Sequence, residues 1–315
     1  MTRCRATAPG GIGNLGPGLD VLGCAIAGNR DEVVAEWSDV AGVTLLDAGH
    51  PELPTSPTRH TAAIAATAVL RLAVASGVRL DCAGIALRVT KGLPLSGGQG
   101  GSAASAVAGA AAANGLIGSP LDTNQLLACC LIAEATVAGR HLDNIAPAML
   151  GGISLVRCID PVDVIRLPVP TGLRLVLAHP AQRLSTASSR RALPKSVSLP
   201  TVTHQLAQVA AMVAACFTDD LALFGRAIDD RIAEPARAAL IPGFADAKRA
   251  ACDAGALGAS ISGAGPTGFA VVGDDETGAR VAAAMTSAYA SHGLACTTIV
   301  TGIDANGVVV TQLND

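Results

Sequence analysis

Residues 3–8 alternate charged and apolar side chains and end at Pro9, the pattern of a short strand. Glycine dominates from Gly10 to Gly18, with Pro17 among them, and predicts a loop. Alternation returns at 32–37 and 43–46, read as strands, and three prolines make 47–58 a loop. An alanine-rich run over 60–75 predicts a helix that closes near Gly77. A β-like segment at 85–90 leads into a loop over 91–101. A helix of small residues follows at 102–114, stopped by Gly115. Asp122 or Thr123 caps the next helix, which runs to about Ala138, and 139–147 reads as loop.

The second half predicts strands at 153–157, 164–167 and 173–178, then helices near 185–192, 201–216, 219–228 and 244–254. A strand at 257–261, a turn over 262–267, a strand at 268–272, a helix at 275–290 and terminal strands complete it. Strands and helices mix without strict βα alternation, and Pro161, Pro168 and Pro170 cluster at a break. The expected class is α+β in two lobes, residues 1–160 and 161–315.

Composition narrows the function. Hydrophobic residues make up 50% of the 315, yet only six are Trp, Tyr or Phe, so Ala, Val, Ile and Leu must build the core. That scarcity argues against binding by base stacking. Lys and Arg number 22 against 25 Asp and Glu, a net charge of −3, and no basic stripe offers a nucleic-acid partner. Nine cysteines contain no C-x-x-C pair, so neither a disulfide framework nor a zinc site is expected, and a reducing cytoplasm is. No signal peptide or apolar run of membrane-spanning length is read.

Three glycine-rich segments carry candidate chemistry. Gly11, Gly13 and Gly16 fit the dinucleotide pattern G-x-G-x-x-G, but Pro17-Gly18 oppose the helix that pattern must open. A tight turn needing positive φ is the plainer reading. Pro94, Leu95, Ser96, Gly97, Gly98, Gln99, Gly100, Gly101, Ser102 and Ala103 lie between a strand and a helix. Without side chains at four of these positions, backbone N–H groups can face an anion, and the following helix adds its positive end. Ser102 at the helix start can cap it or ligate a metal; Lys91 precedes the glycines, so no Walker pattern exists. Gly263 and Gly265 lie in a third segment, Ser262 to Thr267, which alone reads as a hairpin turn.

Glu134 sits in an apolar stretch of helix. Facing the phosphate loop, it would hold Mg²⁺ together with Ser102, since that ion takes a few oxygen ligands and phosphates. His141, Asp143 and Asn144 form a polar cluster in the loop that follows. Arg190, with Arg191 beside it, and Arg237 are the candidate anion clamps, because a guanidinium meets a carboxylate in two parallel bonds.

Together these residues resemble the homoserine kinases, a family of the GHMP small-molecule kinases. Asn14-Leu15-Gly16-Pro17-Gly18-Leu19-Asp20 is similar to N-L-G-P-G-F-D, and the second glycine segment to P-x-x-x-G-L-G-S-S-A-A. His141 to Ala148 is similar to H-x-D-N-x-A-P-A, Thr186 to Pro194 to T-x-x-x-R-x-x-L-P, and Glu234 to Pro242 to E-P-x-R-x-x-L-I-P. The resemblance spans about residues 3–272.

It implies phosphorylation of the L-homoserine hydroxyl with ATP and Mg²⁺ for threonine synthesis, in a cleft between an ATP-binding first lobe and an acceptor-binding second lobe, commonly in a homodimer. It also implies acceptor binding by Asn14, Asp20, His141, Asp143, Arg190 and Arg237. The arginines would meet the carboxylate and the acidic groups the ammonium. Thr186 and Asn144 would stand at the reacting centre, and an amide at 144 is no base. Gly101 in place of a serine, Gln99 in place of an apolar residue, Ile12-Gly13 in place of a polar pair, and the lack of an Asn in the helix after Thr58 depart from the family pattern. They bear on nucleotide affinity or donor choice. The alternatives are another GHMP kinase, an NAD-dependent oxidoreductase using Gly11 to Gly16, and a sensor that has lost turnover.

Overall fold

β1 (Arg3–Gly13) and β2 (Leu22–Ser38) pair antiparallel from Arg3–Glu36 to Gly13–Gly23, with an irregularity between Pro9 and Gly11. The structure is a computed structural model that describes residues 2–313. β1 runs five residues past the expected end at Ala8, so 10–13 is strand and not loop. From Ala8 to Gly13 the strand is buried on both faces, which removes the alternation that marks a half-exposed strand. Gly13 is required by close approach: a Cβ there would lie 2.4 Å from Asn144 Nδ2 and 2.5 Å from Asp143 Oδ2.

β3 (Gly42–Asp47) runs parallel to β4 (Gly84–Thr90), which pairs antiparallel with β2. β5 (Ile153–Ile159) joins β2, and β6 (Val162–Leu167) joins β5. Four helices cover this sheet: α1 (Thr61–Ala75), α2 (Gly101–Leu116), α3 (Thr123–Ala135) and α4 (Ile145–Leu150). An Asp122–Gln125 capping box starts α3. The expected loop at 139–147 is broken by α4, whose first turn accommodates Pro147. α2 continues through Gly115, where a Cβ would meet Cys4 Sγ at 2.5 Å, so this glycine serves packing and not termination. α2 is buried from Ala103 to Leu116, its small side chains letting neighbouring backbones approach.

The second sheet is built from β7 (Arg174–Pro180), β8 (Gly258–Ile261), β9 (Gly268–Val272) and β10 (Cys296–Thr301), in the order β10-β7-β9-β8, all antiparallel. α5 (Thr186–Arg191), α6 (Leu199–Thr218), α7 (Leu221–Arg226), α8 (Ala233–Ala238), α9 (Phe244–Asp253) and α10 (Asp275–Ser291) accompany it. α8 has no counterpart in the sequence reading. Pro235 sits in its first turn, and the Asp230 carboxylate takes the N–H groups of Ile232, Ala233 and Glu234 at 2.8–3.0 Å.

β11 (Val309–Leu313) returns to pair with β1. Both β6 and β11 lie beyond residue 160 yet belong to the first sheet. One core cluster joins the sheets, with Ile12, Leu22 and Cys24 packed with Leu175, Leu177 and Phe269. A cleft between them is therefore held by a shared apolar wall. The mixed α+β architecture matches the expectation. Among the described residues no helix is long and apolar enough to cross a membrane.

Candidate active site

The loop between β4 and α2 is a concave array of peptide N–H groups. Ser96, Gly98 and Gly100 have φ of 52°, 71° and 67°, so left-handed residues alternate along it, the arrangement that makes an anion nest. Its carbonyls are held from outside. Gly97 O accepts from Thr267 Oγ1 at 2.5 Å, Gly98 O from Ser262 Oγ at 2.5 Å, Gln99 O from Gly11 N at 3.1 Å, and Gly101 O from Lys91 Nζ at 3.0 Å. In a planar trans peptide the next N–H points the opposite way. The N–H groups of Gly98, Gln99, Gly100 and Ser102 therefore face away from these anchors.

Gly100, not Ser102, is the N-cap of α2, and no side chain caps it. The first bond of the helix runs from Ala104 N to Gly100 O at 2.9 Å, so the N–H groups of Gly101, Ser102 and Ala103 precede it and add the positive helix end. A cavity of about 370 Å³ opens onto this loop. Pro94 to Gly98 and Gly100 to Ser102 line it; Gln99 and Ala103 do not. Gln99 acts instead through its carbonyl.

The same cavity is lined by Asn14, Asp20, Glu134, His141, Asp143, Asn144, Thr186, Arg190, Arg237, Gly263 and Gly265. Residues spread over 250 positions meet because the turn after β1, the ends of α3 and α4, and α5 and α8 converge on one opening. Asn14, with φ of 69°, donates its N–H to Asp143 Oδ2 at 3.1 Å and accepts from Asp20 N at 3.2 Å through Oδ1. His141 Nδ1 lies 2.9 Å from Asp143 Oδ1, and Nε2 lies 3.3 Å from Ala138 O. Burial opposes charge on this ring, but the Asp143 hydrogen bond and the Asp143, Glu134 and Asp20 carboxylates prevail and raise its pKa to about 9.

Arg190 Nη1 and Nη2 fork onto Asp20 at 2.9 and 2.7 Å. Ser189 Oγ, bonded to Ala264 O at 2.7 Å, ties α5 to the third glycine segment. That segment is a hairpin, as expected, between β8 and β9. Arg237 is only 4% exposed and donates Nη1 to Gly263 O at 2.7 Å. Burial and the Arg190 guanidinium push it below the usual arginine range. The Nε groups of both Arg190 and Arg237, and Asn144 Oδ1, are buried without a hydrogen-bond partner among the described residues. Leaving such groups unpaired is costly.

Glu134 is 3% exposed, and Ser102 Oγ donates to it at 3.2 Å. Burial, joined by the Asp143 charge and opposed by His141, lifts its pKa to about 7. A buried carboxylate beside a hydroxyl suits a hard divalent cation. Asp20, His141 and Asp143 also bring ligand atoms within 4.8 Å of one another, but Arg190, Asn14 and each other already occupy them.

Two parts of the site were not read from the sequence. Lys91 is ion-paired with Asp31 and bonded to Ser105 Oγ at 3.0 Å. Asp31, fully buried, also takes the N–H groups of Gly92 and Leu93 at 3.1 and 3.2 Å. This network seats both ends of the phosphate loop. A lysine just before a glycine run, 60 positions from a carboxylate inside a strand, was its only signal. Arg183 and Glu52, paired at 2.5 and 2.9 Å, also line the cavity. The dinucleotide alternative loses its basis: Asn14, Leu15 and Gly16 form a turn with φ of 69°, 48° and 79°, and the next element is β2, not a helix.

Comparison with known proteins bears on the family and the fold. Residues 62–152 match the family described as GHMP kinases N terminal domain, and 212–291 match GHMP kinases C terminal. A homoserine kinase of Chlorobium phaeobacteroides (strain BS1) is 40% identical over 288 residues, covering 89% of this chain and 90% of its own. The homoserine kinase of Arabidopsis thaliana is 40% identical over 90% of this chain and 77% of its own. The crystal structure of homoserine kinase from Cytophaga hutchinsonii superposes with a TM-score of 0.90 at 37% identity, covering 98% and 97% of the two chains. With this identity sustained over nearly its whole length, the chain belongs to the homoserine kinase family of the GHMP kinases.

Proposed function

We propose that the protein transfers the γ-phosphoryl group of ATP to the side-chain hydroxyl of L-homoserine, giving O-phospho-L-homoserine for threonine synthesis. One observation carries the acceptor assignment. Arg190 and Arg237 line the same cavity as the phosphate nest, so an anion and a polyphosphate can occupy adjoining parts of it. The acceptor's carboxylate meets the two guanidiniums, and its ammonium meets Asp20 and Asp143. Asn14, His141 and Thr186 complete that end.

Phosphoryl transfer passes through a loose transition state that asks for position and charge neutralisation more than covalent chemistry. The N–H groups of Gly98 and of Gly100 to Ser102 hold the donor's phosphates. Ser102 and Glu134 would hold Mg²⁺, which offsets phosphate charge when bound. His141, kept cationic by Asp143, orients that carboxylate toward the acceptor amine. The arginines fix the acceptor so that its hydroxyl approaches in line. Asn144 cannot take a proton at neutral pH, so it positions rather than abstracts. The first lobe supplies the nucleotide site and the second the arginines. The nine cysteines, none of them paired, suit a cytoplasmic enzyme.

Substrate profiling tests this reading. ADP release from ATP and Mg²⁺ should depend on L-homoserine. Turnover of mevalonate or shikimate without turnover of L-homoserine would remove the acceptor assignment.

A further inference from the structure

We infer that Thr267, backed by His179, is a positioning residue for the nucleotide, setting the entry of the phosphate nest from the opposite sheet. The inference rests on the kinase reading above; it gives a role to the last residue of the third glycine segment and adds His179, which no motif drew attention to. His179 lies on β7, in no glycine segment and no arginine motif.

The hydrogen bonding is determined by counting protons. Thr267 Oγ1 lies 2.5 Å from Gly97 O and 2.9 Å from His179 Nδ1. A hydroxyl has one hydrogen, and a carbonyl only accepts. Thr267 therefore spends its hydrogen on Gly97, and the contact with His179 requires Nδ1–H as donor. Thr267 is fully buried, so its hydroxyl has no water to exchange with. The His179 ring also walls the peptide: a Cβ on Gly97 would lie 3.4 Å from Cε1.

This chain acts at the first of the four tied carbonyls. With Gly97 O drawn outward, the N–H of Gly98 faces inward, and Gly98 is the first glycine of the nest with positive φ. Thr267 belongs to the hairpin whose Gly263 carbonyl takes Arg237. The anchor therefore also sets the distance between the nucleotide and acceptor ends. A freed Gly97 peptide can rotate, turning a carbonyl oxygen toward phosphate oxygens.

Steady-state kinetics of four variants test this. Thr267→Val keeps the shape and loses the donor; the KM for ATP should rise about fivefold or more, with the KM for L-homoserine unchanged. Thr267→Ser should restore the wild-type KM. His179→Phe should raise the KM for ATP, and His179→Asn, whose amide N–H can replace Nδ1–H, should restore it. Calorimetric titration with ADP, with no acceptor present, should show the same order of affinities. A merely structural role would lower the melting temperature and the active fraction while leaving both KM values unchanged, and that result overturns the inference. So does an equal rise in both KM values, or failure of Thr267→Ser to rescue. Should Thr267→Val not fold, the His179 pair and Thr267→Ser decide by the same criteria. Wild-type protein that binds no ADP sinks the kinase reading and this inference together. Wild-type binding with unchanged affinity in His179→Phe sinks this inference alone.

Discussion

Asp20 and Arg190 meet fork to fork, at 2.9 and 2.7 Å, across 170 positions of sequence, and the Arg190 Nε beside them has no partner. Two residues expected to face the acceptor separately instead hold each other. Among the described residues Arg237 has no carboxylate partner, and its Nη1 meets only the Gly263 carbonyl. It is therefore the more available fork for an incoming carboxylate. Arg237→Lys should raise the KM for L-homoserine about tenfold or more, because an ammonium cannot reproduce two parallel bonds. Unchanged KM in both Arg237→Lys and Arg190→Lys would show that the acceptor carboxylate lies elsewhere.

Glu134→Gln removes the buried charge facing Ser102 and should depress kcat about a hundredfold or more while flattening the dependence on Mg²⁺. The wild type carries a second signature. Burial holds the free Glu134 carboxyl near 7, so below that pH a metal must displace a proton. The Mg²⁺ concentration for half-maximal rate should climb as pH falls below 7. Titrations at fixed ATP on either side of that pH check both statements.

His141 predicts a pH dependence of stability of the opposite sense. Its folded pKa, about 9, lies above the ordinary 6.5, because the Asp143 bond and three carboxylates outweigh burial. The cationic ring stabilises the fold fully below pH 6.5, and that contribution is lost as pH rises through 9. Urea unfolding of wild type and His141→Gln should therefore converge between those two values. A gap that is constant or widens with pH would contradict the assignment.

Asn144 is wedged between two backbones: a Cβ on Gly13 would lie 2.4 Å from its Nδ2, and one on Gly100 would lie 2.8 Å from its Oδ1. Asn144→Asp would set a carboxylate against the phosphate nest. It should lower affinity for ATP and give no rise in kcat. A large gain in rate would mean that the reaction is limited by want of a base.

The motif-bearing loops were legible because their chemistry is local. Glycine at 97, 98, 100 and 101, or a His-x-Asp-Asn run, states its purpose within a few residues. β1 beyond Ala8 was not legible, since glycines buried on both faces carry no period. The short helices α4 and α8 were hidden by prolines that their first turns tolerate. The Lys91–Asp31 pair and the Thr267–Gly97 anchor depend on which strands become neighbours, and no local pattern encodes that. Likewise, Ser102 reads as a helix cap, whereas Gly100 takes that place through a left-handed φ.

The most direct measurement is the mass and ³¹P spectrum of the product formed from ATP, Mg²⁺ and L-homoserine by the purified protein. A nest and an arginine pair on one cavity predict O-phospho-L-homoserine, formed one for one with ADP. ADP released with no phosphorylated homoserine, or phosphate passed only to an acceptor lacking a carboxylate, would contradict it.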